Sequence, residues 1–270
     1  MFRWIGRGLR VGRLTTRYPW APAEADALGS PLAAIHPQGP TRPDAEAAEA
    51  ACPTGAIAID DGGVTLDLGR CVACGLCWSV SPKSFVAGPA YGAAADRREG
   101  LLVRCAWQTR PEPPARRVRK PPGPWRRSLH VRHVDAGSDG AIELELAQLT
   151  APHYDLHRLG VFFTASPRHA DALLVTGPVT DGMVAALRTT FEAMPSPKLV
   201  IAAGSDAISG GLWVDGEHVV GGVDGVLPAD VYIPGSPPSP LALIDGLLLA
   251  SGRRFPLLAA AAATTTEVTS

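Results

Sequence analysis

The tightest constraint on this chain is the placement of its cysteines. Four of the five lie close together, as Cys52-Pro53 and, after eighteen intervening residues, Cys71-Val-Ala-Cys74-Gly-Leu-Cys77. Three thiols at C-x2-C-x2-C spacing can wrap one corner of an iron–sulfur cubane, and a remote Cys-Pro can supply the fourth ligand. The spacing therefore predicts one [4Fe–4S] cluster held by Cys52, Cys71, Cys74 and Cys77. A structural zinc site is the competing use of such thiols, but zinc sites usually place them as two separated pairs. Five cysteines, a clustered triplet and no secretory signal argue against disulfides and for a reducing cytoplasm.

The same stretch carries the remains of a second run. In bacterial ferredoxins the closing cysteine of one run ligates the cluster held by the other. Here Ser81 stands before Pro82 where the second run would close, and the other three places of the first run fall on Arg42, Ala45 and Ala48. The losses are complementary: one cluster has lost all four ligands and the other has kept all four. Cys105 is left over, and a lone thiol of this kind is more often a small buried residue than a ligand.

A chain of 270 residues with 46% apolar and 19% charged residues suits two packed domains. The net charge of −1 gives no bulk attraction for nucleic acid. The basic residues are clustered, however. Residues 1–20 hold Arg3, Arg7, Arg10, Arg13 and Arg17 with no acid, and residues 2–14 mix arginines with Phe2, Trp4, Ile5, Leu9, Val11 and Leu14. Such a basic amphipathic segment can lie on an anionic membrane surface, rest against a partner, or form a solvated helix. No apolar run is long enough to cross a membrane as a helix.

Along the chain, Ala56–Asp60 and Gly63–Asp67 are expected as strands joined by an Asp-Gly turn. Prolines at 111, 113, 114, 121, 122 and 124 mark residues 111–124 as an extended, basic linker. Beyond it strand and helix alternate. Strands are expected at Leu159–Phe163, Ala172–Thr176, Leu199–Ala202 and Val231–Ile233. Helices are expected over 180–194, with Met183, Leu187, Phe191 and Met194 at helical spacing, and over Leu241–Ala250. Unbroken apolar strands separated by helices predict a doubly covered parallel sheet. Residues 256–270 read as a flexible tail. Gly177-Pro-Val-Thr180 sits where such sheets bind phosphates, but it lacks the G-x-G-x-x-G signature. His130-x-x-His133-x-Asp135 lies in a strand-like run and lacks third and fourth partners for a metal.

Several stretches together resemble a known family. Tyr154-Asp-Leu-His-Arg-Leu-Gly-Val-Phe-Phe, Ala165 to Thr180, Val220-Gly-Gly-Val-Asp224 and Tyr232-Ile-Pro-Gly-Ser-Pro-Pro-x-Pro240 closely resemble the small subunit shared by respiratory complex I and energy-converting [NiFe] hydrogenases. Gly12-x-x-Thr15-x-x-Tyr18-Pro19 and the cysteines look like the two-cluster ferredoxin-type subunit of those complexes. The resemblance implies a fusion: an N-terminal ferredoxin-like α+β domain over 1–110, the linker, and a C-terminal flavodoxin-like doubly wound α/β domain over 125–255.

In that family the small subunit holds a terminal [4Fe–4S] cluster facing a large subunit. The positions that the resemblance gives to those ligands are Asp139, Ile142, Asp206 and Ser236. These side chains cannot together replace four thiolates on a soft cluster, so the terminal cluster is expected to be missing. The resemblance implies a one-cluster electron-transfer subunit of a complex I-like or hydrogenase-related assembly, peripheral on the cytoplasmic face of the membrane. Its expected partners are a large subunit and membrane-embedded subunits, with no nucleic acid. A mainly structural docking subunit with a structural cluster is the alternative. A flavin- or nucleotide-binding reductase fed by its own cluster is a more distant one.

Overall fold

The computed structural model describes residues 3–21, 31–88, 91–111, 125 and 127–253. Most of the expected linker and the whole expected tail lie outside these residues, as does Phe2.

In the second half, the apolar runs become the centre of a five-stranded parallel sheet. The N-terminal half supplies α1 (Arg3–Val11), β1 (Ala33–Ile35), α2 (Arg42–Ala51), β2 (Ile57–Ile59), β3 (Gly63–Asp67), α3 (Leu76–Val80), β4 (Phe85–Ala87) and β5 (Leu102–Ala106). The second half supplies β6 (Leu129–Asp135), α4 (Ala141–Gln148), β7 (Val161–Phe163), β8 (Ala172–Thr176), β9 (Val179–Thr180), α5 (Asp181–Glu192), β10 (Leu199–Ala203), α6 (Ser205–Ser209), β11 (Val219–Gly221), β12 (Val231–Ile233) and α7 (Pro240–Ala250). The sheet runs β7-β6-β8-β10-β12, every pairing parallel. In chain order this is 2-1-3-4-5, the flavodoxin-like order, with its switch point between β6 and β8.

Burial on both sides explains the strand composition. Every residue of β8, β10 and β12 is buried, as a parallel sheet covered on two faces requires. Leu129, Val131, Leu174, Ile201 and Ile233 join Ile142 and Leu146 of α4 and the wholly buried α7 in one core. The alternate residues Val134, Leu173, Val175, Val200 and Ala202 face the other way, toward Leu187 and Met194 near and on α5 and Ile208 of α6. That second core continues without a break into the N-terminal half, through Ile57, Leu66 and Phe85.

The N-terminal half is an α+β unit. β2, β3 and β5 form an antiparallel sheet with Ile57 opposite Leu66 and Val64 opposite Cys105. The β2–β3 turn is fixed by Asp60, whose carboxylate accepts from the N–H groups of Gly62 and Gly63 at 2.8 and 2.9 Å. β1 and β4 pair separately. The positions at which the spacing of the cysteines would place a second set of ligands are occupied by packed or hydrogen-bonded side chains. Ala45 and Ala48 of α2 are fully buried, and the Ser81 hydroxyl donates to the Asp44 carbonyl at 2.7 Å. Arg42 stacks on Trp107 at 5.0 Å.

Two segments bind the halves together. Thr15 and Thr16 donate to the carbonyls of Pro152 and His153, while Arg158 donates to the carbonyl of the buried Tyr18. Ala95 exchanges both main-chain hydrogen bonds with Tyr232, at 2.9 and 3.0 Å, and so covers the β12 edge of the sheet. Such cover blocks edge-to-edge pairing with another chain.

Some expected boundaries move. The strand expected from Leu159 begins at Val161, because Leu156–Leu159 forms a 3-10 turn closed by Gly160 at φ +67°. A Cβ on Gly160 would meet the Arg127 carbonyl oxygen at 2.2 Å, so glycine is required there. The helix expected over 180–194 covers Asp181–Glu192, and the Thr180 hydroxyl donates to the Ala136 carbonyl instead of capping it.

Candidate metal centre and the strand-end acidic pair

Cys52, Cys71, Cys74 and Cys77 line one small recess, together with Ala33, Ile57, Leu66 and Trp78. Cys52 ends α2, Cys77 lies in the first turn of α3, and Cys71 and Cys74 lie in the loop between β3 and α3. That loop turns tightly: Ala73 sits at φ +56° and Gly75 at φ +80°. A non-glycine residue in the left-handed region costs energy, and such residues cluster at functional sites. Cys71 and Cys77 are buried, Cys52 is half-buried and Cys74 is exposed.

The electrostatics of the recess suit a cationic occupant. Burial pushes the Cys71 thiol up, with further contributions from Cys52 and Cys74. Cys77 is pushed up to about 11, first by burial and then by the charge of Cys71 and its neighbours. Four thiolates gathered here repel one another, and a multiply charged iron core offsets that repulsion. Main-chain N–H groups already point at the sulfurs: Ala56 at Cys52 Sγ (3.3 Å), Ala33 and Ala73 at Cys71, and Trp78 at Cys77. The donor set, its burial and its N–H cradle fit an iron–sulfur cluster. Among the described residues, no group of three or more His, Cys, Asp and Glu is placed to hold a single metal ion. Cys105 stands apart on β5, its thiol directed at the Thr109 carbonyl at 3.1 Å.

The recess abuts the other half of the chain. The buried Ser205 hydroxyl, at the start of α6, donates to the Cys71 carbonyl at 2.6 Å and lies 3.3 Å from the Gly235 carbonyl. A Cβ on Gly69 would sit 2.8 Å from the Ile208 side chain, so the loop entering the cysteines packs directly on α6. Nothing in the spacing of the cysteines discloses this contact.

Asp139, Ile142, Asp206 and Ser236 all lie at the carboxyl ends of the parallel strands. Asp139 follows β6, Ile142 is in the first turn of α4, Asp206 begins α6 after β10, and Ser236 follows β12. Ile142 is buried, and a Cβ on Gly204 would meet its Cδ1 at 2.3 Å and the Gly235 carbonyl oxygen at 3.4 Å. Isoleucine therefore fills space between the β10 and β12 ends. Asp139 and Asp206 lie close enough to interact: burial and then the Asp139 charge push the Asp206 carboxyl up to about 6. The four positions present carboxylate, alkyl and hydroxyl groups and no thiolate, so this end of the sheet does not fit an iron–sulfur cluster.

The raised Asp206 pKa makes a prediction about stability. Between about pH 4 and pH 6 the folded protein keeps a proton that the unfolded chain has released. Asp206 therefore costs nothing below that window, and its cost is fully present once pH has risen past about 6. Asp206→Asn is expected to raise the melting temperature at pH 8 by roughly 2–6 °C, equivalent to about 1–2 kcal/mol after allowing for partial exposure. The gain should vanish near pH 4. An equal gain at both pH values would show that packing, not the charge, limits this position.

The histidines do not pair. His130 points to one face of the sheet, 3.5 Å from Asp171 and stacked on Phe162, while His133 is three residues on and faces the other way. His133 Nε2 lies 2.9 Å from the Thr176 hydroxyl and 3.4 Å from Glu143, whose other oxygen accepts from Ser138 at 2.8 Å. Thr176 also donates to Glu143. Burial pulls the His133 pKa down, against the opposing pull of Glu143 and Asp135. This network ties β6, β8 and α4 together at the switch point, and its members Glu143 and Ser138 carry no motif that marks them in the sequence. The Gly177-Pro-Val-Thr180 turn is closed by protein: a Cβ on Gly177 would meet the Ser138 nitrogen at 2.3 Å.

Comparisons with known proteins point to one group. The family model described as NADH ubiquinone oxidoreductase, 20 kDa subunit, matches residues 140–250. An uncharacterised protein of Methanocaldococcus jannaschii is 45% identical over 123 residues, covering 46% of this chain and 82% of the relative. A probable membrane-bound hydrogenase subunit of Pyrococcus furiosus is 40% identical over 124 residues, covering 46% of this chain and 74% of its own length. Among solved structures, a chain of the membrane-bound sulfane sulfur reductase, an archaeal respiratory membrane complex, is 33% identical. It matches 52% of this chain and 73% of its own length, with a TM-score of 0.41.

Proposed function

Because the chain belongs to the family of the NADH ubiquinone oxidoreductase 20 kDa subunit, we propose that it is a one-cluster electron-transfer subunit of a membrane-associated oxidoreductase complex. The observation that carries this reading is the single recess lined by Cys52, Cys71, Cys74 and Cys77. Those four residues would hold one [4Fe–4S] cluster, and when bound the cluster supplies a one-electron carrier. The N–H groups of Ala33, Ala56, Ala73 and Trp78 hold the sulfurs in place and favour the more negative charge state. Leu66, Ile57 and Trp78 give the recess an apolar lining. Ser205 fixes the Cys71 loop against the sheet domain.

In this reading the sheet domain is the docking half, and it presents its strand ends, with Asp139 and Asp206 in place of ligands, to a large subunit. The expected partners are a hydrogenase- or complex I-type large subunit and membrane-embedded subunits at the cytoplasmic face of the membrane. No described helix is long and apolar enough to cross a membrane. Purifying the native complex on a tag placed on this chain tests the assignment. A co-purifying large subunit, with an iron–sulfur signal that dithionite reduces, is expected. Recovery of the chain alone from solubilised membranes, or with partners of unrelated families, would remove the docking half of the reading.

A further inference from the structure

We propose that α1 lies in the headgroup layer of an anionic lipid membrane, its apolar side turned to the acyl chains and its arginines to the phosphates. The inference rests on the membrane-associated reading above and commits it to lipid as the surface that covers this helix.

Among the described residues α1 has little to pack on, and even Ile5 is left 38% exposed. Every side chain from Ile5 to Leu14 is exposed, Leu9 at 81%, Leu14 at 61% and Val11 at 51%. Within the helix, Ile5 and Leu9 are four residues apart and share one side, whereas Arg3, Arg7 and Arg10 recur at the spacing of the other. Nine residues containing Gly6 and Gly8 do not hold a helix in water on propensity alone. The segment therefore needs a surface that rewards burial of its apolar side.

Charge names that surface. Residues 3–17 contain five arginines and no acid, so the covering surface is anionic. A nucleic acid would satisfy the arginines and leave Ile5, Leu9 and Leu14 in water. A lipid interface satisfies both sides at once. The helix is also presented from a fixed base. It ends at Gly12, φ +70°, whose N–H donates to the Gly8 carbonyl. The chain is then pinned to the sheet domain by Thr15 on Pro152 (2.9 Å), Thr16 on His153 (2.8 Å) and the buried Tyr18. Trp20, 57% exposed beneath the Arg158 guanidinium, adds an indole of the kind that favours membrane interfaces.

Flotation of the full-length, cluster-loaded chain with phosphatidylcholine vesicles, with and without phosphatidylglycerol, tests this. Binding is expected only with the anionic lipid and should weaken as salt is raised. Changing Arg7, Arg10 and Arg13 together to Gln should weaken binding about a hundredfold, at about fivefold per arginine. Leu9→Asn should weaken it about tenfold or more without changing net charge. The iron–sulfur absorbance, read on each variant, should not change, which separates loss of the lipid contact from loss of the cluster. Equal binding to both vesicle types, full binding by the triple variant, or no vesicle binding by a chain that still assembles with its native partners would each overturn the inference. So would tighter retention on duplex DNA than on anionic vesicles. In all four cases the electron-transfer reading would stand or fall separately, on the cluster and the co-purified subunits.

Discussion

Cys71→Ala is expected to abolish the visible iron–sulfur absorbance and to drop iron from ~4 atoms per chain to well below one. Cys71 is the most committed of the four thiols. It is buried, it receives two main-chain N–H groups, and its own carbonyl is held by Ser205 from the other half of the chain. No other cysteine can take its place, because Cys105 lies on β5 with its thiol on the Thr109 carbonyl. Cys105→Ala should therefore leave both iron and absorbance unchanged. Loss of the band in the Cys105 variant would show that the ligand set is wrongly assigned.

The same variant separates an electron carrier from a purely structural cluster. The core that holds the N-terminal unit also runs into the sheet domain, and the cysteine loop is part of that contact. Emptying the recess leaves buried thiols and removes the cross-link between α2, the loop and α3, and metal binding of this kind is folding free energy. Cys71→Ala should thus also loosen the packing of Gly69 on Ile208, seen as faster proteolysis near α6. If the native complex still assembles around the variant but no longer passes electrons from donor to acceptor, the carrier role holds. Unchanged electron flow through an iron-free chain would leave only the structural role.

What could be read from the residues follows physical range. That Cys52, Cys71, Cys74 and Cys77 come together in one recess was legible, because ligation would fix which residue types must recur and how far apart. β8 and β10 were legible because five consecutive buried apolar residues have one common explanation, a sheet covered on both faces. Several short elements were not, although the three-residue β12 was expected where it stands. α3 and α6 are five residues each and β1 and β4 three each, too brief for periodicity to register. α2 is built on Ala45 and Ala48, small residues whose full burial comes from α3 and Ser81 rather than from any apolar pattern. The hydrogen bond from Ser205 to Cys71 spans 134 residues. Such a contact exists only once both halves have folded, and a local reading has no access to it.

Asp139→Cys, Ile142→Cys, Asp206→Cys and Ser236→Cys made together are expected to raise iron from ~4 to ~8 atoms per chain after anaerobic reconstitution. The four positions sit at the carboxyl ends of β6, β10 and β12, with Asp139 acting on Asp206 through space and Ile142 wedged against Gly204 beside the Gly235 carbonyl. What keeps a second cluster out is then chemistry and volume together: no thiolate, and an isoleucine in the space. Replacing Ile142 gives up about 1–3 kcal/mol of packing. Removing Asp206 returns part of that at neutral pH, since its carboxyl is held near pKa 6 by burial and its neighbour. The backbone there already suits close approach, because Gly204 and Gly235 sit at φ +92° and +140° and need no change. A triple variant that keeps Ile142 should stay at ~4 irons, which separates ligand count from mere surface thiols. If the quadruple variant also stays at ~4 irons while its four new thiols react readily in the folded protein, these strand ends do not form a cluster site. The acidic pair would then need an explanation of its own.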